Sequence, residues 1–223
     1  KMDDIVTRHA AIMDQYDPKK KVALVVDEWG GWYEVEPGTN PGHLFQQNTM
    51  RDAMIAGMTL NIFNNHSERV RVANLAQTVN VLQAVILTQK EKMILTPTYH
   101  VMQMYNVHQD ATLVPVKLTP ALYQNGTQAL PAISASASRN AQGVTHISLV
   151  NIDPRKPQPV TISLPAGFKK VTGKVLTSPN MQDCNTFENP GFIQPAAFAG
   201  AALSGNTLTV TMPPLSVVVL ALQ

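Results

Sequence analysis

A chain of 223 residues with 44% hydrophobic content can bury one substantial core or two unequal ones. Its net charge of +2, with 17 Lys and Arg scattered among 15 Asp and Glu, builds no basic stripe and argues against nucleic acid as a partner. Cys184 is the only cysteine, which rules out an internal disulfide and a thiolate metal cluster, and no apolar run approaches the roughly 18 residues of a membrane span, so a membrane is not an expected partner either.

The chain opens with Lys1-Met-Asp-Asp4, which is no signal peptide, so the sequence leaves the compartment open. Ile5, His9, Ile12 and Met13 fall at helical spacing in a segment without a cap or a preceding strand, and the chain is expected to begin inside a domain. Asp17-Pro18 then makes a turn. Residues 22–28 are a buried-looking strand that closes on Asp27 and Glu28. In an α/β barrel the catalytic groups sit at the C-terminal ends of the strands, so this run reads as an active-site strand; the plainer alternative is a strand end with two solvated acids. Asp27 is read as a structural residue. Residues 30–42, with two prolines, form a long loop that is a candidate substrate wall.

From Leu44 to Leu60 the positions Phe45, Ala53, Met54, Ala56, Gly57 and Met58 fit a helix packed on a sheet, with Gly57 allowing close approach. Met50, Met54 and Met58 recur at i and i+4, the spacing of core packing. Residues 70–76 are the next strand. The apolar run from Val79 to Leu87 is strand or buried helix, and Thr96-Pro97 starts a last helix reaching about Val107. After Asp110 the pattern changes to short runs rich in Val, Ile, Thr and Ser, divided by turn signals such as Asn125-Gly126, Asp153-Pro154 and Gly205-Asn206. Strands are expected over 144–152, 160–164, 171–176, 207–212 and 217–222, and their spacing favours a β-sandwich with Pro115 and Pro120 on its first edge segments.

The order Asp27-Glu28-Trp29, then Asn61-Ile-Phe-Asn-Asn-His66, then Asn74-Leu-Ala-Gln-Thr-Val-Asn-Val-Leu-Gln83, then Leu95-Thr-Pro-Thr-Tyr-His100 resembles the α-L-arabinofuranosidases of glycoside hydrolase family 51. The resemblance is close over residues 1–118, and beyond them it lies in all-β character and position. It implies the C-terminal part of a (β/α)8 barrel over residues 1–110 and a jelly-roll-like sandwich over 111–223. It also implies retaining hydrolysis of terminal α-L-arabinofuranosyl linkages in arabinose-containing glycans, a chemistry that uses two carboxyl groups. Glu28 aligns with the family nucleophile. The family acid/base glutamate follows an Asn on an earlier barrel strand, and no Asn-Glu pair occurs in this sequence. The general acid is therefore expected on an N-terminal part of the same enzyme, which is the implied partner, and this chain alone is expected to be catalytically incomplete.

Gln77 matches the family glutamine that hydrogen-bonds a sugar hydroxyl, against the alternative of an amide that satisfies loop backbone. Trp32 and Trp29 are candidate substrate-binding residues, because an indole face suits the C–H face of a pentose; core packing is the alternative for each, and weighs more for Trp29. His66, His100 and His108 lack metal-ligand spacing and are read as structural, so neither metal nor cofactor is expected. A serine nucleophile lacks support, since no Gly-x-Ser-x-Gly elbow is present. Two other readings stand beside the arabinofuranosidase: a non-catalytic carbohydrate-binding or assembly unit, and a related barrel glycosidase acting on a xylan or β-glucan backbone. A truncated barrel would leave unpaired edges and an exposed apolar face on the 44–60 helix, which predicts a covering companion or a homo-oligomer.

Overall fold

A computed structural model describes residues 1–223. Helix α1 (Met2–Tyr16) leads into strand β1 (Leu24–Trp29), helix α2 (Met50–Asn65) and strand β2 (Val70–Leu75). Strands β1 and β2 pair in parallel with α2 as their crossover, the repeating unit of an α/β barrel. A hairpin of β3 (Ile86–Gln89) and β4 (Lys92–Leu95) follows, then α3 (Pro97–Tyr105), whose first turn is capped by the Thr96 hydroxyl.

Arg69 organises the beginning of this unit. Its buried side chain donates to the Asp14 carboxylate, to the Asp17 carboxylate at 2.8 Å, and to the carbonyls of Asp17 at 2.7 Å and Val22 at 2.8 Å. The end of α1, the entry to β1 and the entry to β2 are thereby fixed to one planar group.

The remaining strands are β5 (Thr112–Val114), β6 (Leu122–Asn125), β7 (Gln128–Pro131), β8 (Ile133–Arg139), β9 (Thr145–Asn151), β10 (Gln158–Ser163), β11 (Val171–Thr177), β12 (Ala196–Ala197), β13 (Ala201–Ser204), β14 (Thr207–Met212) and β15 (Ser216–Leu222). One sheet has the order β12-β11-β15-β9-β8-β5 and the other β10-β14-β13, while β6 and β7 form a separate hairpin. Alternation along the strands sorts the side chains between two cores. Ile147 and Leu149 of β9, with Val218, Leu220 and Leu222 of β15, face the smaller sheet and pack with Val160, Leu208 and Val210. Val150, Val217 and Val219 point the other way and pack with Met50, Ala53, Met54 and Ala56 of α2 and Val101 and Met104 of α3. Every residue of β9 is buried because the large sheet is covered on both faces.

Three expectations are corrected here. The second helix begins at Met50 rather than Leu44, because Thr49 and Asp52 form a reciprocal capping box that stops it at its N-terminus, and it runs on to Asn65. Phe45 lies outside it, against the small cluster of Ala84, Leu87 and Ile94. The run from Val79 to Leu87 is neither strand nor helix over most of its length. Asn80 and Gln83 adopt left-handed backbone, the Asn80 side chain binds the Thr88 backbone N–H at 2.8 Å, and regular strand starts only at Ile86. Finally, the apolar face of α2 is not exposed. The large sheet and α3 cover it, so this face supplies no reason for an additional covering partner. Exposed apolar side chains on this part of the chain lie elsewhere, among them Ile5 and Ile12 of α1, Val25 of β1, Val72 of β2 and Met93 of β4.

A polar seam joins α2 and the turn after α3 to the sheet. Asn61, fully buried, accepts from the hydroxyls of Tyr105 at 3.0 Å and Ser136 at 2.8 Å and donates to Ser134 at 3.2 Å. His108 binds Ser138 through Nδ1 at 2.7 Å and Ser148 through Nε2. Burial, reinforced by the neighbouring His146, pushes the His108 imidazole down to about 4.

Gly57 lets the helix lie close against the sheet. A Cβ there would lie 2.9 Å from Cγ2 of Val150 and 3.4 Å from Cγ2 of Val217 and the Tyr105 hydroxyl. The helical gain of Gly57→Ala, about 1 kcal/mol, is smaller than the cost of about 1–3 kcal/mol for overpacking against stiff β-branched neighbours. Gly57→Ala is therefore expected to lower stability in denaturant titration; an unchanged or raised midpoint would show that the sheet yields to the extra methyl.

Candidate active site

Strand β1 is irregular where its acids lie. Val26 pairs with Ala73 and Trp29 with Leu75, so β1 carries one residue more than β2 across this interval. Such a bulge re-aims side chains and breaks the alternation of faces. Leu24, Val26 and Trp29 all contribute to the same core, while Asp27 and Glu28 project to solvent at the strand's C-terminal end.

A cleft of about 290 Å³ opens there, lined by Glu28, Trp29, Gly30, Gly31, Trp32, Ala76, Leu82 and Gln83. Glu28 is the sole carboxylate among these lining residues. Trp32 is 68% exposed, so much of its indole is open to a ligand. Trp29 is 5% exposed and packs edge-on against Phe63 with ring centroids 5.5 Å apart, so its main role is in the core and only a narrow strip of it reaches the cleft. The chain passes from β2 into the same rim. Ala76 N–H donates to the Trp29 carbonyl at 3.2 Å, and Gln77, joined to Ala76 by a cis peptide bond, donates its backbone N–H to Leu82 at 2.7 Å. Gln77 is exposed directly beside the cleft lining. Asp27 is likewise exposed.

Gln83, itself part of the lining, leads to a group of buried and half-buried polar residues to which sequence reasoning gave no role. Gln83, 1% exposed, donates its amide to the Gly31 carbonyl at 3.1 Å and to Asp52 Oδ1 at 2.8 Å. Asp52, fully buried, also accepts from the Thr49 backbone N–H at 2.8 Å and from Arg51 at 3.2 Å. The Arg51 guanidinium lies 3.6 Å above the centroid of the Tyr33 ring, and Tyr33 donates its backbone N–H to Gln46 at 2.6 Å. Burial, ahead of the opposing charges of Arg51 and Asp52, holds the Tyr33 phenol above its ordinary range. The one local signal for this group is the Thr49-x-x-Asp52 capping pattern.

The sequence-predicted residues thus divide in three: Glu28 and Trp32 share the cleft, Gln77 stands on its rim, and Trp29 is mostly core. His66 lies apart, its Nε2 2.8 Å from Asp3, and His100 is buried with its imidazole pushed down by that burial. A lone carboxylate at a strand end beside an exposed indole can act as a nucleophile or base toward a bound sugar, but it has no acid partner among the cleft residues.

The family model described as the α-L-arabinofuranosidase C-terminal domain matches residues 27–216. An intracellular exo-α-L-arabinofuranosidase of Bacteroides ovatus is 46% identical over all of this chain, which covers 44% of that protein. The crystal structure of the glycoside hydrolase family 51 arabinofuranosidase from Xanthomonas axonopodis pv. citri superposes with a TM-score of 0.96 at 49% identity, covering 100% of this chain and 45% of the other. The arabinose complex of the Thermotoga maritima α-L-arabinofuranosidase gives a TM-score of 0.76 at 26% identity, over 92% of this chain and 44% of that one. The chain spans less than half the length of the relatives it matches. Its fold is the C-terminal part of a (β/α)8 barrel followed by a jelly-roll-like β-sandwich, and the chain belongs to the α-L-arabinofuranosidases of glycoside hydrolase family 51, as their C-terminal portion.

Proposed function

We propose that this chain supplies the nucleophile half of a retaining exo-α-L-arabinofuranosidase. The observation that carries the reading is the single carboxylate, Glu28, set at a bulged strand end in a cleft walled by Trp32, in a chain of this family. Glu28 attacks the anomeric carbon of a terminal α-L-arabinofuranosyl unit from the face opposite the leaving group. A carboxylic acid outside these 223 residues protonates the departing oxygen, and water, deprotonated by that same group, releases the sugar from its ester with Glu28. The two inversions leave the α-configuration of the sugar unchanged.

Trp32 holds the furanose by its C–H face, Gln77 hydrogen-bonds a sugar hydroxyl, and the residual strip of Trp29 closes the floor. Residues 1–110 are the barrel portion and residues 111–223 the sandwich, which acts as a buttress: through the bonds of its serines to Asn61 and His108 it fixes the outer side of α2, the crossover between β1 and β2, and the turn after α3. The substrates are arabinose-containing glycans cut from their non-reducing ends, and the N-terminal portion of the enzyme is the immediate partner, with assembly into a homo-oligomer.

Proton NMR of the first sugar formed from an aryl α-L-arabinofuranoside tests the mechanism. The α-anomer should accumulate first and mutarotate afterwards, whereas initial β-anomer would mean inversion and remove Glu28 from the nucleophile's role.

A further inference from the structure

Trp32 is largely exposed, yet the residues on either side of it are anchored from beneath. Gly31 is held through its carbonyl by the Gln83 amide at 3.1 Å, and Tyr33 is held by its backbone bond to Gln46 and by the Arg51 guanidinium over its ring. Those two anchors meet at one buried carboxylate. Gln83 donates to Asp52 Oδ1 at 2.8 Å and Arg51 donates to Asp52 Oδ2 at 3.2 Å. The contacts form a closed ring from Gly31 through Gln83, Asp52, Arg51 and Tyr33, and back along the chain through Trp32.

The fit between Gln83 and the loop is tight. A Cβ on Gly30, whose φ is +146°, would lie 2.5 Å from Gln83 Cγ, and a Cβ on Gly31 would lie 3.2 Å from Gln83 Nε2. The loop therefore rests directly on this side chain, and Gly30 adopts a conformation that disfavours any other residue. Gln83 itself has a φ of +51°, an uncommon state for a residue with a side chain. Its amide has two N–H bonds and two acceptors to serve, Gly31 and Asp52, and both are used. Its carbonyl oxygen Oε1 is buried with no partner. A buried polar side chain with an unspent oxygen costs stability that an apolar one would not, so the position is better matched to the two donors than to core packing.

We propose that Gln83 is the positioning residue of the sugar platform: with Asp52, Arg51 and Tyr33 it clamps the chain on both sides of Trp32 and fixes the indole relative to Glu28. Substrate affinity is then set in part by how these four residues hold Trp32, beyond any contact that Gln83 makes as part of the cleft lining. This inference rests on the reading above, in which Trp32 contacts the arabinofuranosyl unit.

A double-mutant cycle in the full-length enzyme tests it, using Gln83→Met, which keeps the volume and removes both donors, Trp32→Ala, and the pair together, with Glu28→Gln as a control. Gln83→Met should raise KM roughly tenfold while changing kcat by less than about threefold, and in the Trp32→Ala background the same substitution should change KM by less than about twofold. Tyr33→Leu, at a half-buried position, should show the same non-additivity and serves if Gln83→Met does not fold. Equal KM effects in both backgrounds, or an unchanged KM in Gln83→Met, overturn the clamp while leaving Glu28's role intact. An unchanged KM in Trp32→Ala also overturns it. Turnover that survives in Glu28→Gln sinks the underlying reading instead, so the two failures are separable.

Discussion

Glu28→Gln in the full-length enzyme is expected to lower kcat toward an aryl α-L-arabinofuranoside by at least about 10³-fold, with KM changed little. The amide is nearly isosteric, so the cleft and Trp32 keep their places, but it cannot form the glycosyl ester through which both steps run. Chemical rescue separates this role from that of a general acid. In Glu28→Ala, added azide can attack from the face that the carboxylate vacates, so a β-arabinofuranosyl azide should form and restore part of the rate. An α-azide would mean that the lost group was the acid/base, with the nucleophile elsewhere. Retention of more than about a tenth of wild-type kcat in Glu28→Gln would remove the residue from the chemistry.

The second large effect is on stability. His108 sits in the seam between the helices and the sheet, held by Ser138 and Ser148 with Tyr105 edge-on to its ring and His146 nearby. Its imidazole is pushed from 6.5 down to about 4, by burial first and by His146 second. Below pH 6.5 the unfolded chain takes up a proton at this site that the folded one refuses until about pH 4, so stability falls as the pH is lowered through this window and levels off below it. At about 1.4 kcal/mol per pH unit, the loss attributable to His108 approaches 3 kcal/mol. Denaturant titrations from pH 7.5 to 4 on the wild type and on His108→Gln check this: the variant should lose most of the slope, keeping a remainder from His146 and His100, which burial also pushes down. Parallel slopes in the two proteins would mean that His108 is not held neutral by the fold. Asp17 and Asp183, whose carboxyls are held low by hydrogen bonds, lose their contribution only below the ordinary carboxylate range and do not confuse the comparison.

Strands β1, β2, β9, β10, β11, β14 and β15 were legible because each is rich in Val, Leu, Ile or Thr and lies between turn signals. Strand β8 was not, since Ile-Ser-Ala-Ser-Ala-Ser-Arg has little β-branched content. Its small residues make sense only in three dimensions, with Ala135 and Ala137 against the opposing sheet and Ser134, Ser136 and Ser138 bonding the helices and the turn after α3. The start of α2 was misplaced because apolar Phe45 fits helical spacing, and the capping box at Thr49 and Asp52 was the local signal that outweighs it. The expected exposed face of that helix failed for a related reason: which element covers a helix is a matter of tertiary packing, not of the helix's own periodicity.

The site shows the same division. Glu28 and Trp32 stand out from a strand that closes on an acid and from an aromatic beyond it. Gln83 does not, because its partners Gly31 and Asp52 are 52 and 31 residues away in sequence and meet it only through the β1-α2-β2 crossover. Trp29 carried no sequence feature separating core from cleft; the bulge in β1 turns it inward onto Phe63.

A covalent bond between Glu28 and the sugar can be trapped, which tests the proposed mechanism at its core. A 2-deoxy-2-fluoro arabinofuranosyl substrate with an activated leaving group slows formation of the glycosyl ester and slows its hydrolysis still more, so the ester accumulates and can be located by peptide mass spectrometry of the full-length enzyme. The proposed mechanism gives one fluoro-sugar adduct, on the peptide that contains Val25-Val-Asp-Glu28-Trp29, and none in Glu28→Gln. An adduct on any other carboxylate, or continued turnover with no adduct at all, would contradict it.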